Sequence, residues 1–121
     1  MAYVDGFVNP VKKDQLDNYR RMAALGEKVW KEYGALAYVE CVADEAPWGE
    51  VTSFPRAVQL QDDEVVVFSW IVYPSRAVRD EANRKAMDDP RFKEFENAMP
   101  FDPKRMIWGG FTPIVGDLGG G

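Results

Sequence analysis

The ten residues Glu64-Val65-Val66-Val67-Phe68-Ser69-Trp70-Ile71-Val72-Tyr73 decide the fold of this chain. β-Branched and aromatic side chains fill the run after Glu64, and such a run reads as an extended strand. A strand in a one-sided antiparallel sheet alternates apolar and polar residues. Here 65–68 and 70–73 are apolar on both faces, with Ser69 the one interruption. Both faces of this strand therefore need cover. The polar turn Gln61-Asp62-Asp63 opens the run, and Pro74 closes it with Ser75 placed to cap a helix.

Working outward, residues 76–88 read as that helix. Asp89-Pro90 then has the form of a cap and first position for a short further helix through Glu96. Residues 105–115 read as a last strand containing Gly109-Gly110. On the N-terminal side, 35–43 form a strand, and the intervening loop includes a short extended piece near Ser53-Phe54-Pro55-Arg56. Residues 2–9 form a strand that Pro10 ends. Between these two strands a helix is expected from Gln15 to Tyr33, with Asp14 as N-cap. Its stripe of Leu16, Tyr19, Ala23, Gly26, Trp30 and Tyr33 recurs at helical spacing, and Gly34 suits the position just past its end.

The order is βαββαβ, which folds as a ferredoxin-like α+β domain. It predicts a four-stranded antiparallel sheet with two main helices on one face, the first and third strands central and the second and fourth at the edges. One domain over 1–115 is expected, with a flexible Gly-rich tail at 116–121. Two helices cover only one face. The other spans roughly 500 Å², near the upper end of what monomers expose. A second copy packed sheet to sheet gives a homodimer and covers it. The alternative is that segment 44–63 or 90–104 folds across it.

Composition narrows the function classes. The chain has 121 residues, 46% apolar and 13% aromatic, which is enough for a packed core. Fifteen Lys and Arg stand against 20 Asp and Glu, a net charge of −5. Such a surface repels phosphate backbones and anionic lipid, so neither a nucleic acid nor a membrane is the expected partner. No signal segment or membrane span is legible, and a cytoplasmic location is expected. There is no His, which removes His-ligated haem, Ser-His-Asp triads and His bases. With one Cys and no His, no zinc site is expected; carboxylates alone would suit magnesium or calcium, but no loop has the ligand spacing for either, and no metal or cofactor is expected. Cys41, flanked by apolar neighbours, reads as a buried strand thiol.

Several blocks carry a family resemblance. They are Met1 to Val11, Ala37 to Val42, Val51-Thr52-Ser53-Phe54-Pro55-Arg56-Ala57, Phe68 to Arg76, and Met99-Pro100-Phe101-Asp102 with Lys104 to Ile107 and Gly109-Gly110-Phe111. Together they resemble the bacterial domain of unknown function 1428 family, also called YbaA-like. The resemblance implies a dimeric α+β barrel built on the ferredoxin-like fold, and it implies no established activity.

Two charges stand inside apolar strands, Asp5 and Glu40. A buried carboxylate without a partner has a raised pKa, which is how a general acid or base near neutral pH arises. Each is otherwise expected to face solvent or to pair with Arg. Asp5, on a central strand, is the candidate catalytic base. Glu40, Arg56, Trp70, Arg105 and Trp108 are candidate ligand-binding residues, with Arg56, Arg76 and Arg105 able to hold an anion through their planar forks. The expected pocket lies between sheet and helices, with Asp5, Glu40, Trp70 and Arg105 in its wall. Two functions follow. One is a small-molecule-binding dimer, with cofactor-free proton transfer or oxygenation as its enzymatic form. The other is a non-catalytic module whose apolar face serves assembly alone.

Overall fold

The computed structural model describes residues 1–116, so the expected Gly-rich tail lies, from residue 117 onward, outside the described residues. Strand β1 (Tyr3–Lys12) leads through a tight 3-10 turn, Lys13–Gln15, into helix α1 (Leu16–Glu32). Strand β2 (Ala37–Val42) follows, then the short helix α2 (Phe54–Ala57) and strand β3 (Glu64–Tyr73). Helix α3 (Arg76–Met87), a 3-10 stretch at Pro90–Phe95 and strand β4 (Ile107–Phe111) complete the described fold.

The sheet runs β2-β3-β1-β4 and all its pairings are antiparallel. The two long strands are central, as their two-sided apolar character requires. β1 runs past Pro10 to Lys12, three residues beyond its expected end. Pro10 lacks an N–H, but β4 pairs only with Val4–Val8, so the proline sits past the end of that neighbour. β4 is shorter than expected at both ends, and Arg105 precedes it.

Local chemistry explains the helix starts. The turn at Lys13–Gln15 moves the start of α1, so the cap position falls on Gln15, not on the expected Asp14, and no side chain bonds there. Gly34 takes φ +119° just beyond Tyr33, a conformation that favours glycine. Ser75 Oγ accepts the Val78 N–H at 3.2 Å and caps α3. The expected extended piece near Ser53 is instead α2: Ser53 Oγ accepts the Arg56 N–H at 3.1 Å, and Pro55 lies in the first turn.

Parity assigns the faces. Tyr3, Asp5, Phe7, Asn9 and Val11 of β1 share one face with Val65, Val67, Ser69, Ile71 and Tyr73 of β3. Both α1 and α3 lie on it: Ala35, Ile71, Tyr73 and Ala82 form a buried centre against which Phe7, Trp30, Tyr38 and Val78 pack. The opposite face holds Val4, Gly6 and Val8 beside Val66, Phe68, Trp70 and Val72. The 44–63 segment covers one end of it, where Val58 and Leu60 pack on Val8 and Val66. The rest is open. Phe54, Phe68, Ile107 and Phe111 are between 41% and 60% exposed there. Cys41 shares that face, opposite Phe68, and is exposed, not buried as its neighbours suggested, because edge strand β2 carries it beyond the covered end.

One close approach fixes α1 against β2. A Cβ on Gly26 would fall closer to the Tyr38 hydroxyl than real Cβ atoms come to any neighbour. The glycine thus makes room for the Tyr38 ring. Gly26→Ala is expected to lower stability by about 1–3 kcal/mol through overpacking, despite alanine's better helix propensity. Urea unfolding measures it; an unchanged or raised midpoint would show that Tyr38 is not held there.

Candidate functional site

The helix-covered face carries two buried polar networks, one around each strand carboxylate. Asp5, fully buried, accepts from Arg79 Nη1 at 2.9 Å, and the Arg79 side chain is itself only 9% exposed. The guanidinium lies 4.8 Å from the Tyr3 ring centroid and donates from Nε to Asp80 at 2.8 Å. Burial still pushes the Asp5 carboxyl above its usual range, with Arg79 pulling the other way. Its Oδ2 has no hydrogen-bond partner. Nearby, Asn83 Oδ1 accepts from Trp30 Nε1 at 2.9 Å and from the Tyr73 hydroxyl at 3.3 Å.

The second network has no guanidinium. Glu40 accepts the Tyr19 hydroxyl on Oε1 at 2.5 Å and the Tyr38 hydroxyl on Oε2 at 2.9 Å. Tyr19 comes from α1, Tyr38 from the same face of β2 two residues before Glu40, and Ser69 stands opposite on β3. Asn9 Nδ2 donates to the Tyr19 hydroxyl at 3.2 Å, while Asn9 Oδ1 is buried without a partner. Burial raises the Glu40 pKa, against the pull of the two tyrosine hydroxyls. Burial, and then the Glu40 charge, raise both tyrosines far above their ordinary value, so they remain donors.

The expected single pocket does not form. Trp70 pairs with Gly6 and Val39 and points to the open face, away from Asp5 and Glu40, because neighbouring strand positions alternate in direction. Its ring centroid lies 5.7 Å from that of Phe68. Arg105 lies at the other end of the sheet with its donors engaged: Glu64 takes Nη1 at 2.7 Å and Nη2 at 2.5 Å, and Asp102 takes Nε at 2.8 Å. Those bonds hold Glu64 and Asp102 below the usual carboxylate range. An open cleft of about 470 Å³ adjoins Arg105, lined also by Pro10, Lys12, Gln61, Met99 and Phe101. Arg56 locks its own loop, donating to the Trp48 and Gly49 carbonyls at 2.8 and 3.0 Å beneath a Trp48 ring 4.5 Å away. Arg76 forms an exposed pair with Asp80. Trp108 faces the helix side of edge strand β4 but is 60% exposed.

Sequence reading missed Arg79, Asn9 and Tyr38. Arg79 had a signal, since it occupies an apolar-stripe position three residues before Ala82 and seven before Ala86, both fully buried. Tyr38 had one too, as it alternates with Glu40 on one strand face. Among the described residues no group of three or more acidic or Cys side chains converges as a metal site requires. No helix there is long and apolar enough to cross a membrane.

Neutralisation tests what the half-buried Glu40 charge costs the fold. Glu40→Gln removes a charge that has no cation beside it. A raised folded-state pKa contributes stability below the unfolded value and loses it as pH rises through the folded value. The Glu40→Gln variant should therefore melt above the parent at pH 8, the gap closing as pH falls and the parent's Glu40 protonates. Calorimetry across pH checks this; a variant that melts below the parent at pH 8 would refute it.

Comparison with known proteins places the chain. Two curated relatives, each named uncharacterized protein YbaA, from Escherichia coli K12 and Shigella flexneri, are 57% identical over 115 residues, covering 95% of this chain and 98% of theirs. A structure of Rv0793 from Mycobacterium tuberculosis is similar with a TM-score of 0.55 at 13% identity, covering 96% of this chain and 98% of that one. A crystal structure of a dimeric ferredoxin-like protein from an uncultured marine organism is similar at 0.59 and 13% identity, covering 97% and 100%. At such identity both speak to the fold. The family described as protein of unknown function (DUF1428) matches residues 2–103, and the chain belongs to that family.

Proposed function

We propose that this chain works as a homodimer, assembled by packing the open sheet faces of two copies against each other. The observation that carries the reading is that face itself. Phe68, Ile107 and Phe111 stand exposed on it, and Phe54 from α2 meets Phe68 edge to face at 5.8 Å. Gly6 and Gly109 pair across β1 and β4 on this side, and the Phe111 ring lies against both. No side chain rises at Gly6 or Gly109, which leaves room there for a second sheet at about 10 Å. A structural neighbour at TM-score 0.59 is described as dimeric, which supports assembly as a dimer.

Small-molecule binding is the second reading, and one observation favours it. Glu40 is held in a polar cluster without a cation, whereas Asp5 is matched to Arg79. That difference moves the candidate acid-base role from Asp5 to Glu40.

Native mass spectrometry tests assembly. The parent should appear as two chains, and Phe68→Glu or Phe111→Glu as one. Trp108→Glu, as exposed as Phe111 but on the other side of the sheet, should stay paired. Alkylation of Cys41 should be slow in the dimer and fast in the monomeric variants. A parent that is a single chain would overturn the reading.

A further inference from the structure

Among the described residues, the carboxylates that are not exposed are matched to guanidinium groups, with one exception. The side chains of Asp5, Glu64 and Asp89 are 1%, 2% and 5% exposed, and each meets a guanidinium, from Arg79, Arg105 and Arg91 respectively. Glu40, half-buried between α1 and the sheet, forms no ion pair among the described residues. Its neighbours are neutral: Tyr19 from α1, Tyr38 from its own strand, and Ser69 opposite on β3.

We propose that the Glu40 cluster is a binding site for a small cation that carries N–H donors, a primary ammonium being the simplest. Each Glu40 oxygen takes one tyrosine hydroxyl, and a carboxylate offers about four acceptor positions, so acceptor capacity remains. The same network holds a second acceptor in need of a donor, the buried Asn9 Oδ1. Both tyrosines belong to aromatic pairs: the Trp30 ring lies 6.2 Å from Tyr38, and Phe101 lies edge-on to Tyr19 at 5.9 Å. Aromatic faces attract cations, and an ammonium beside Glu40 would form charge-assisted bonds. An anion finds no positive partner here and meets the Glu40 charge. A ligand would enter at the sheet edge, where β2 has no outer strand among the described residues and Val42, two positions beyond Glu40 on the same face, is 47% exposed.

This site lies on the opposite face from the proposed dimer contact, so either can fail without the other. The test is titration of the full-length protein with n-butylammonium chloride, against sodium chloride at equal concentration, followed by the NMR signals of the Glu40 carboxyl carbon and the Tyr19 and Tyr38 rings. Saturable shifts of all three are expected, with affinity weakened at least about tenfold in Glu40→Gln. Tyr38→Phe, which keeps the carboxylate and frees an acceptor position, should bind at least as tightly as the parent. Shifts no larger than those from sodium, equal binding by Glu40→Gln, or loss of binding in Tyr38→Phe would each overturn the proposal.

Discussion

With Tyr3 opposite Tyr73 and Lys12 opposite Glu64, β1 and β3 pair over ten residues, and that register decides which side of the sheet each residue faces. A slip by one position would exchange the two faces of a strand. Asp5 would leave Arg79, Asn9 would leave Tyr19, and Val8 would leave the cover of Val58. The register is strongly specified because both faces carry committed side chains. One face meets two helices; the other meets α2 and its flanking loop at one end. The edge strands inherit their orientation from these two, so Glu40 reaches the helix layer because it lies opposite Ser69.

Burying a carboxylate is unfavourable unless its charge is answered, and this domain answers it differently at different depths. Glu64 sits in a bidentate fork from Arg105 and is held more acidic than usual, so that pair supports the fold above the ordinary carboxylate range and loses its contribution as pH falls. Asp5 has one guanidinium bond and one oxygen without a partner, and its burial outweighs the attraction of Arg79. Glu40 has hydroxyl donors alone. Glu64 is thus favoured in its charged form, whereas burial outweighs the donors at both Asp5 and Glu40, and of the three Glu40 is the one with no cation beside it. A residue kept at such a position without a compensating cation is a departure from local consistency, and such departures concentrate where a protein interacts with something else.

Much of the fold was legible because its signals are periodic. Alternation and helical spacing gave the βαββαβ order, the central placement of β1 and β3, and the caps at Ser75 and Gly34. The failures have specific causes. Asp14 was a chemically reasonable cap, but the chain tightened into a 3-10 turn and started α1 later. Ser53 followed closely by Pro55 carried a helix-start signal that the apolar residues around it obscured. The site was less legible, since hydrogen-bond partners come from distant parts of the chain. Tyr19 and Glu40 are 21 residues apart, and Asp5 and Arg79 are 74 apart. Residue type suggested that Arg56 and Arg105 were available to an anion; only geometry revealed that backbone carbonyls and carboxylates already engage them.

The open face completes the argument about the central strand. Two-sided apolar character in Val65 to Tyr73 requires cover on both sides, and the chain itself supplies one side and part of the other. The 44–63 segment reaches Val8 and Val66 through Val58 and Leu60 but leaves Phe68 exposed at 41%. Glycines at Gly6 and Gly109 then let the Phe111 ring lie against the sheet while it stays 60% exposed. An exposed apolar surface has no advantage to a monomer, because it gains nothing from water and favours indiscriminate association. A second identical face removes the same area from water on both copies and is self-complementary under a twofold axis. Phe68, Ile107 and Phe111, left out of the monomer's own packing, are therefore residues that the proposed symmetric partner would bury, while the Glu40 network on the other side of the sheet remains outside that contact.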